Sequence, residues 1–102
     1  TNGSTLVHPR EVFRPLVVSA ASAFAVAHNH PSGDPSPSEA DIRVTKALYD
    51  ASAVMEIHMC DHIVIGDPHR DPNKIGYYSF CAAGLIYANG PSSPLLRDAR
   101  TA

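Results

Sequence analysis

The 102-residue sequence has little cysteine, no long apolar run and no excess of positive charge. Two cysteines, Cys60 and Cys81, are too few for a disulfide scaffold, so we expect a reducing, cytoplasmic setting. No apolar stretch approaches the roughly 18 residues that cross a bilayer, and no signal peptide is visible. We therefore expect no association with a membrane.

The basic residues are few and scattered along the chain. Eight Lys and Arg stand against ten Asp and Glu, which gives a formal net charge of −2. Surfaces that bind nucleic acid usually carry a basic patch, so the charge does not support nucleic acid as a partner, although a local contact stays open. The length and the 44% hydrophobic content predict one domain with its own core. Since the sequence begins with Thr1 rather than Met, we expect a processed chain or, more simply, a piece of a longer protein.

The sequence predicts alternating helices and strands, which is typical of a layered α/β fold. A helix begins near "HPREVF", with Pro9 in its first turn, and Pro15 is expected to stop or kink it early. A short buried strand follows at Ala23–Ala27, and a proline-rich loop covers residues 29–37. A longer helix begins at Ser38, with a predicted buried stripe of Val44, Ala47, Leu48, Ala51 and Met55.

A second strand is predicted in "EIHMCDHIVIG". Strict alternation would place Ile57, Met59, Ile63 and Ile65 on one face, and His58, Cys60, His62 and Val64 on the other. A polar loop, a short strand with a turn of helix, and a weakly ordered tail at residues 88–102 complete the prediction.

The stretch "AHNHPSGDPSPSEAD", residues 27–41, contains two histidines and an aspartate on either side of the proline-rich loop. His28 and His30 are two residues apart and point the same way if they lie at the end of the strand. The loop can then bring Asp41, in the first helical turn, back beside them. Two imidazole nitrogens and one carboxylate oxygen are a three-ligand zinc set with an open fourth position. The simpler interpretation is an incidental histidine pair and an aspartate that the helix dipole favours.

Ser38 has two candidate roles that do not exclude each other. It is a good N-cap for the helix, with Asp41 three residues later in an acidic variant of the capping box. Its hydroxyl, or a backbone N–H at the helix start, could instead donate to an oxyanion.

The same stretch resembles the JAMM, or MPN-plus, metalloprotease motif: His-x-His, ten residues, Asp, and a Ser three residues before the Asp. The blocks "LVHPREVF", "AHNHPSGDPSPSEADIRVT", "DHIVIGD" and "YSFCAAGLI" are similar, in order, to the RadC-like branch of that superfamily, from about Thr5 to Ile86. The resemblance implies a three-layer, cytidine-deaminase-like (JAB/MPN) α/β fold over residues 1–87, with a mixed central sheet flanked by helices. It further implies zinc on His28, His30 and Asp41, an oxyanion donor in Ser38, and hydrolysis of amide or isopeptide bonds in a protein or peptide. The branch often carries a DNA repair label, which the charge does not support.

One catalytic group of that superfamily has no match in the sequence. JAMM enzymes use a glutamate on an earlier strand as general base. Glu11 is the only glutamate upstream of the motif, and it matches a helix-start position rather than the base. We therefore expect that the base and the first strand or strands are absent, that the fragment is inactive, and that an exposed sheet edge could support a homodimer. The alternative is a non-catalytic module that binds protein or nucleic acid.

A rival metal site at His58, Cys60 and His62 is also open. Residues at i, i+2 and i+4 of a flat strand span roughly 13 Å, too far for one ion without a bulge. We favour instead a buried His62 that is hydrogen-bonded near the main site. A zinc deaminase is excluded, because its His-x-Glu and Pro-Cys-x-x-Cys signatures are absent.

Overall fold

The structure is a computed structural model that describes residues 8–87. Along this part of the chain the elements are α1 (Pro9–Val18), β1 (Ala23–Asn29), α2 (Glu39–Met55), β2 (His58–Ile65) and β3 (Tyr77–Ser79). The predicted alternation of helices and strands is confirmed. The predicted tail at residues 88–102 lies outside the described residues, so the domain limit at residue 87 stays a prediction.

The three strands form one mixed sheet in the order β1-β2-β3. β1 and β2 run parallel, and β2 and β3 run antiparallel. A parallel pair needs a crossover connection, which α2 supplies here. Because parallel strands end at the same edge of a sheet, the residue after β1 lies beside the end of β2, and the backbone N–H of His30 donates to the carbonyl of Ile65 at 2.9 Å.

The core lies between this sheet and the two helices. Phe13 of α1 packs edge-on against Phe24 of β1, with ring centroids 5.2 Å apart. The other buried hydrophobic side chains are Leu48, Tyr49, Ile57, Met59, Val64, Phe80 and Ile86. Their burial holds α2 against β2, and this fixes the N-terminus of α2 relative to the ends of the parallel strands.

Helix α1 does not stop at Pro15, so the prediction of an early stop was wrong, while the predicted kink stays a prediction. The helix continues to Val18, and the carbonyl of Pro15 accepts the N–H of Ser19 at 3.0 Å. Proline removes one N–H donor from the helix, and only about one more helical turn follows Pro15. The helix ends at Val18, with Ser19 as its C-cap, and the following Ala20 has a left-handed φ of 56°.

The buried face of α2 differs from the predicted stripe. The buried residues are Thr45, Leu48, Tyr49 and Ser52, whereas Ala47 and Met55 are exposed. Hydrophobic periodicity missed this face because it includes a threonine and a serine. Each hydroxyl donates to a carbonyl of its own helix, Thr45 to Asp41 at 2.7 Å and Ser52 to Tyr49 at 2.6 Å, so its burial is satisfied.

Strand β2 contains a bulge, which makes the predicted assignment of faces wrong. Phe24 pairs with Met59, but the next residue of β1 pairs with Asp61, so Cys60 is an extra residue. The alternation shifts by one position there. The buried side chains of this segment are therefore Ile57, Met59, His62 and Val64.

Strand β1 forms one edge of the described sheet. Association of two copies through such an edge stays a prediction. Among residues 8–87, no helix combines the length and the apolar character that a membrane crossing needs.

Candidate metal centre

The structure brings together the three residues that the motif singles out. His28 lies near the end of β1, His30 directly follows that strand, and Asp41 lies in the first turn of α2. Asp41 Oδ1 is 3.0 Å from His28 Nε2, and Asp41 Oδ2 is 2.9 Å from His30 Nε2. Three ligand atoms, one from each residue, lie within 4.8 Å of one another. In the described part of the chain, no other group of three His, Cys, Asp or Glu side chains meets this spacing.

The loop between β1 and α2 is held in place by backbone contacts to the end of β2. Gly33, at φ +89°, donates its N–H to the carbonyl of His30 at 3.0 Å and closes a turn that other residues rarely adopt. Its own carbonyl accepts the N–H of Asp67 at 2.6 Å. Gly66 allows this approach, since a Cβ there would lie 2.3 Å from the Gly33 oxygen. These contacts set the path by which the loop returns from His30 to α2.

Ser38 and Asp41 form the predicted capping box. Ser38 Oγ accepts the N–H of Asp41 at 3.0 Å, and the N–H of Ser38 donates to Asp41 Oδ2 at 2.7 Å. The cap therefore aims the carboxylate towards the two histidines. Burial alone would raise the pKa of Asp41, but hydrogen bonding with Ser38 and the proximity of His28 and His30 outweigh it and hold the pKa below its usual value. Asp41 is thus suited to act as an anionic ligand.

The ring of His30 is oriented by a backbone carbonyl. Its Nδ1 lies 2.9 Å from the oxygen of Asp34. A carbonyl can only accept, so Nδ1 carries the proton, and the neutral ring then has a lone pair on Nε2. That lone pair faces Asp41 Oδ2 at 2.9 Å, and either a proton on Nε2 or a bound metal cation makes this contact favourable. Nitrogen and carboxylate donors suit zinc, so the donor set fits the ion that the resemblance implies.

His62 is the main addition that the structure makes to the site. Its Nε2 lies 3.0 Å from His28 Nδ1, its Nδ1 lies 2.5 Å from Thr45 Oγ1, and its ring stacks on Phe80 at 4.8 Å. Burial is the main cause that lowers the pKa of His62 to about 4; His28 lowers it further, while Asp41 and Asp61 act in the opposite sense. The sequence indicated that His62 lies near the site, whereas no pattern pointed to Thr45, because a threonine inside a helix carries no metal signal.

The rival site at His58, Cys60 and His62 does not form. The bulge at Cys60 separates the three side chains: His62 is buried, His58 is half-buried and Cys60 is exposed. The three are not among the described side chains that could share one ion.

Glu11 contributes to α1 and not to the metal centre. It accepts the N–H of His8 at 3.0 Å in the capping arrangement of that helix. Across residues 8–87, no glutamate joins the cluster of His28, His30 and Asp41.

A polar cleft of about 510 Å³ opens beside the loop that carries the metal centre. Its lining includes Asn29 and His30 at the end of β1, and Asp67 and Arg70 in the loop after β2. Crevices at the carboxyl ends of parallel strands are common ligand sites in α/β proteins. The cleft offers room for an extended polar segment next to His30.

Comparisons with known proteins agree on one family. A family model described as RadC-like JAB domain matches residues 1–85. A UPF0758 protein of Syntrophomonas wolfei is 46% identical over 83 residues, which cover 81% of this chain and 32% of that protein. A UPF0758 protein of Geobacter sulfurreducens is 45% identical over 82 residues, 80% of this chain and 33% of the relative. A third, from Alkaliphilus metalliredigens, is 53% identical over 64 residues, 63% of this chain and 28% of the relative. The chain thus spans about a third of the length of these curated relatives.

Proposed function

This chain belongs to the RadC-like JAB family, and on that basis we propose that it carries the zinc site of a metallohydrolase that acts on amide or isopeptide bonds. The JAB-type α/β fold follows from the same membership and from the mixed sheet. The observation that carries the proposal is the contact of both histidine Nε2 atoms with one carboxylate at 2.9–3.0 Å. A solvated surface cluster would not need the second hydrogen bonds that orient both rings.

In this proposal His28, His30 and Asp41 hold the zinc ion. A zinc ion with an open position acts as a Lewis acid on a carbonyl and makes a bound water more acidic. The Oγ of Ser38 acts as a hydrogen-bond acceptor in the helix cap, so its O–H group can still donate a hydrogen bond. We assign to this O–H group the hydrogen bond that stabilises the oxyanion formed on the attacked carbonyl. The cleft beside His30 would receive the adjoining part of a protein or peptide substrate.

The general base is assigned to a segment beyond this sequence. Its three glutamates are Glu11, Glu39 and Glu56, and none of them joins the metal cluster. Relatives of which the matched stretch covers only 32–33% have room for the missing group. The alternative is a binding module that keeps the fold but catalyses no reaction, and the lack of a base in this sequence favours it. The experiments below distinguish the two functions.

The first experiment measures zinc binding by the chain itself. We expect about one zinc per chain by elemental mass spectrometry, and a saturable isotherm by calorimetry. Asp41→Asn should abolish tight binding, since it removes the charge while keeping an oxygen for the Ser38 cap. Asp50→Asn is the matched control: it makes the same change on the same helix, at an exposed carboxylate 3.5 Å from Lys46.

Two results would overturn this assignment. One is wild-type protein that binds no zinc when folded, and the other is Asp41→Asn protein that binds as tightly as Asp50→Asn protein. Activity needs the longer parent protein. Peptide hydrolysis by the parent that Asp41→Asn removes would support the enzyme, and zinc binding without hydrolysis of any isopeptide or peptide substrate would support the binding module.

A further inference from the structure

A chain of hydrogen bonds runs from a backbone carbonyl of α2 to the ring of His28. Thr45 Oγ1 lies 2.7 Å from the carbonyl oxygen of Asp41 and 2.5 Å from His62 Nδ1. His62 Nε2 in turn lies 3.0 Å from His28 Nδ1. Thr45 and His62 are each only 3% exposed, so water does not compete for these bonds.

The carbonyl oxygen sets the direction of every bond in this chain, because it can only accept. The hydroxyl of Thr45 donates to it, which leaves a lone pair on Oγ1 to accept the Nδ1–H of His62. A neutral imidazole with its proton on Nδ1 has a lone pair on Nε2, which accepts the Nδ1–H of His28. Neutral His28 therefore keeps its own lone pair on Nε2, the atom that lies 3.0 Å from Asp41.

We propose that Thr45 and His62 are positioning residues that hold His28 in the tautomer able to bind the metal ion. The inference rests on the proposed zinc site and deepens it. Neither residue is among the proposed ligands. The carbonyl of Asp34 orients the ring of His30 by a direct hydrogen bond, whereas the ring of His28 is oriented through the two buried side chains of His62 and Thr45.

The placement of His62 is hard to explain by packing alone. It occupies a buried position of β2 and stacks on Phe80, with only 12° between the ring planes. An apolar side chain would fill such a position without burying two polar nitrogens. The stack fixes the plane of the ring, so that both nitrogens point along the line from Thr45 to His28. Partners that orient a metal-binding histidine typically contribute 10–100-fold to metal affinity.

The affinity test uses paired substitutions of one side chain. Thr45→Val keeps the shape and removes the hydroxyl, and we expect zinc affinity to fall roughly 10–100-fold. Thr45→Ser restores the hydroxyl and should recover most of that loss. Ser52→Ala is the matched control, since Ser52 is an equally buried hydroxyl of α2 that donates to the carbonyl of Tyr49. It should leave zinc affinity unchanged even if it lowers stability.

A second measurement reads the tautomer without any metal. Long-range ¹H–¹⁵N correlation spectra of the metal-free protein above pH 7.5 should show His62, which does not contact Asp41 directly, protonated on Nδ1 in wild type and in Thr45→Ser. In Thr45→Val we expect a mixture with the Nε2-protonated form. A residue that only supports the fold would not change this ratio.

Three outcomes separate the inference from the proposed function. If wild type and folded Thr45→Val bind zinc with equal affinity, the inference is overturned and the proposed zinc site is retained. His62 protonated on Nε2 in wild type overturns the inference as well, since its Nε2 could then not accept the Nδ1–H of His28, and it does so even if Thr45→Val fails to fold. Absence of zinc binding by folded wild type overturns the zinc site together with the inference.

Discussion

Gly66→Ala tests whether the contact between the end of β2 and the loop after β1 holds the metal centre together. A methyl group at this position would lie 2.3 Å from the carbonyl oxygen of Gly33 and 2.8 Å from Pro35 Cδ. Both atoms belong to the loop that carries His30 towards α2. Real Cβ atoms do not approach a backbone oxygen so closely, so the loop must move away from β2.

The expected cost combines two effects. Forcing extra volume into a packed region costs about 1–3 kcal/mol. The movement also stretches the 2.6 Å bond from the N–H of Asp67 to the carbonyl of Gly33, which adds about 1 kcal/mol. We therefore expect the free energy of unfolding to fall by about 2–4 kcal/mol. Urea denaturation of the metal-free protein measures this loss as a lower midpoint at unchanged slope.

Gly84→Ala is the control for a glycine substitution as such. Gly84 has φ +79°, but an added Cβ would meet no atom within 4 Å. Its cost is backbone strain alone, about 1 kcal/mol. Gly66→Ala should also weaken zinc binding, because the displaced loop carries the carbonyl that orients His30, while Gly84→Ala should not. The reasoning fails if Gly66→Ala is no more destabilising than Gly84→Ala, or if it binds zinc with wild-type affinity.

Three further predictions concern the core and the acid response. Leu48→Ala should lower the free energy of unfolding by about 2–5 kcal/mol, since Leu48 is 1% exposed; a loss below that of an exposed control such as Val54→Ala would contradict the core assignment. Asp71→Asn should destabilise the loop before β3. Hydrogen bonding, mainly from the N–H of Asn73, holds the pKa of Asp71 below its usual value. The extra stability of wild type over Asp71→Asn should therefore be present above about pH 4 and disappear as the pH falls through the lowered pKa. For His62, burial lowers the pKa from 6.5 to about 4 and favours the neutral form in the fold, so stability is full above pH 6.5 and falls by about 3 kcal/mol towards pH 4. Denaturation of metal-free His62→Gln across this range should lack that slope, and an unchanged slope would refute the assignment to His62.

The parts of the site that the sequence predicted are those fixed by local chemistry. Ser38 and Asp41 form a capping box because their spacing lets each satisfy the other's backbone N–H, a geometry that one helical turn dictates. The loop at residues 29–37 was predictable from its prolines, although β1 extends two residues further than predicted, to Asn29. His28 and His30 could be placed together because alternation along a strand is a local property.

The features that the sequence did not predict depend on partners distant in the chain. The bulge at Cys60 exists only in the register between β1 and β2, and it reverses the faces assigned to the second half of β2. Thr45 is buried because its hydroxyl has two partners, one in its own helix and one on β2. Hydrophobic periodicity treats such a residue as polar and assigns it to the surface.

The metal centre and the missing base are separable in this architecture. Each group that orients a proposed ligand lies within the described residues: Asp34 for His30, His62 for His28 and Ser38 for Asp41. Their hydrogen bonds to backbone and buried side chains do not depend on any group that a general base would supply. Metal binding should therefore persist in the isolated domain, whereas the proposed hydrolysis would also need the general base that we assign to a longer parent protein. The two properties can be tested separately, because a variant that loses zinc identifies a fault in the ligands or their supports, and one that keeps zinc without activity identifies a fault in the base.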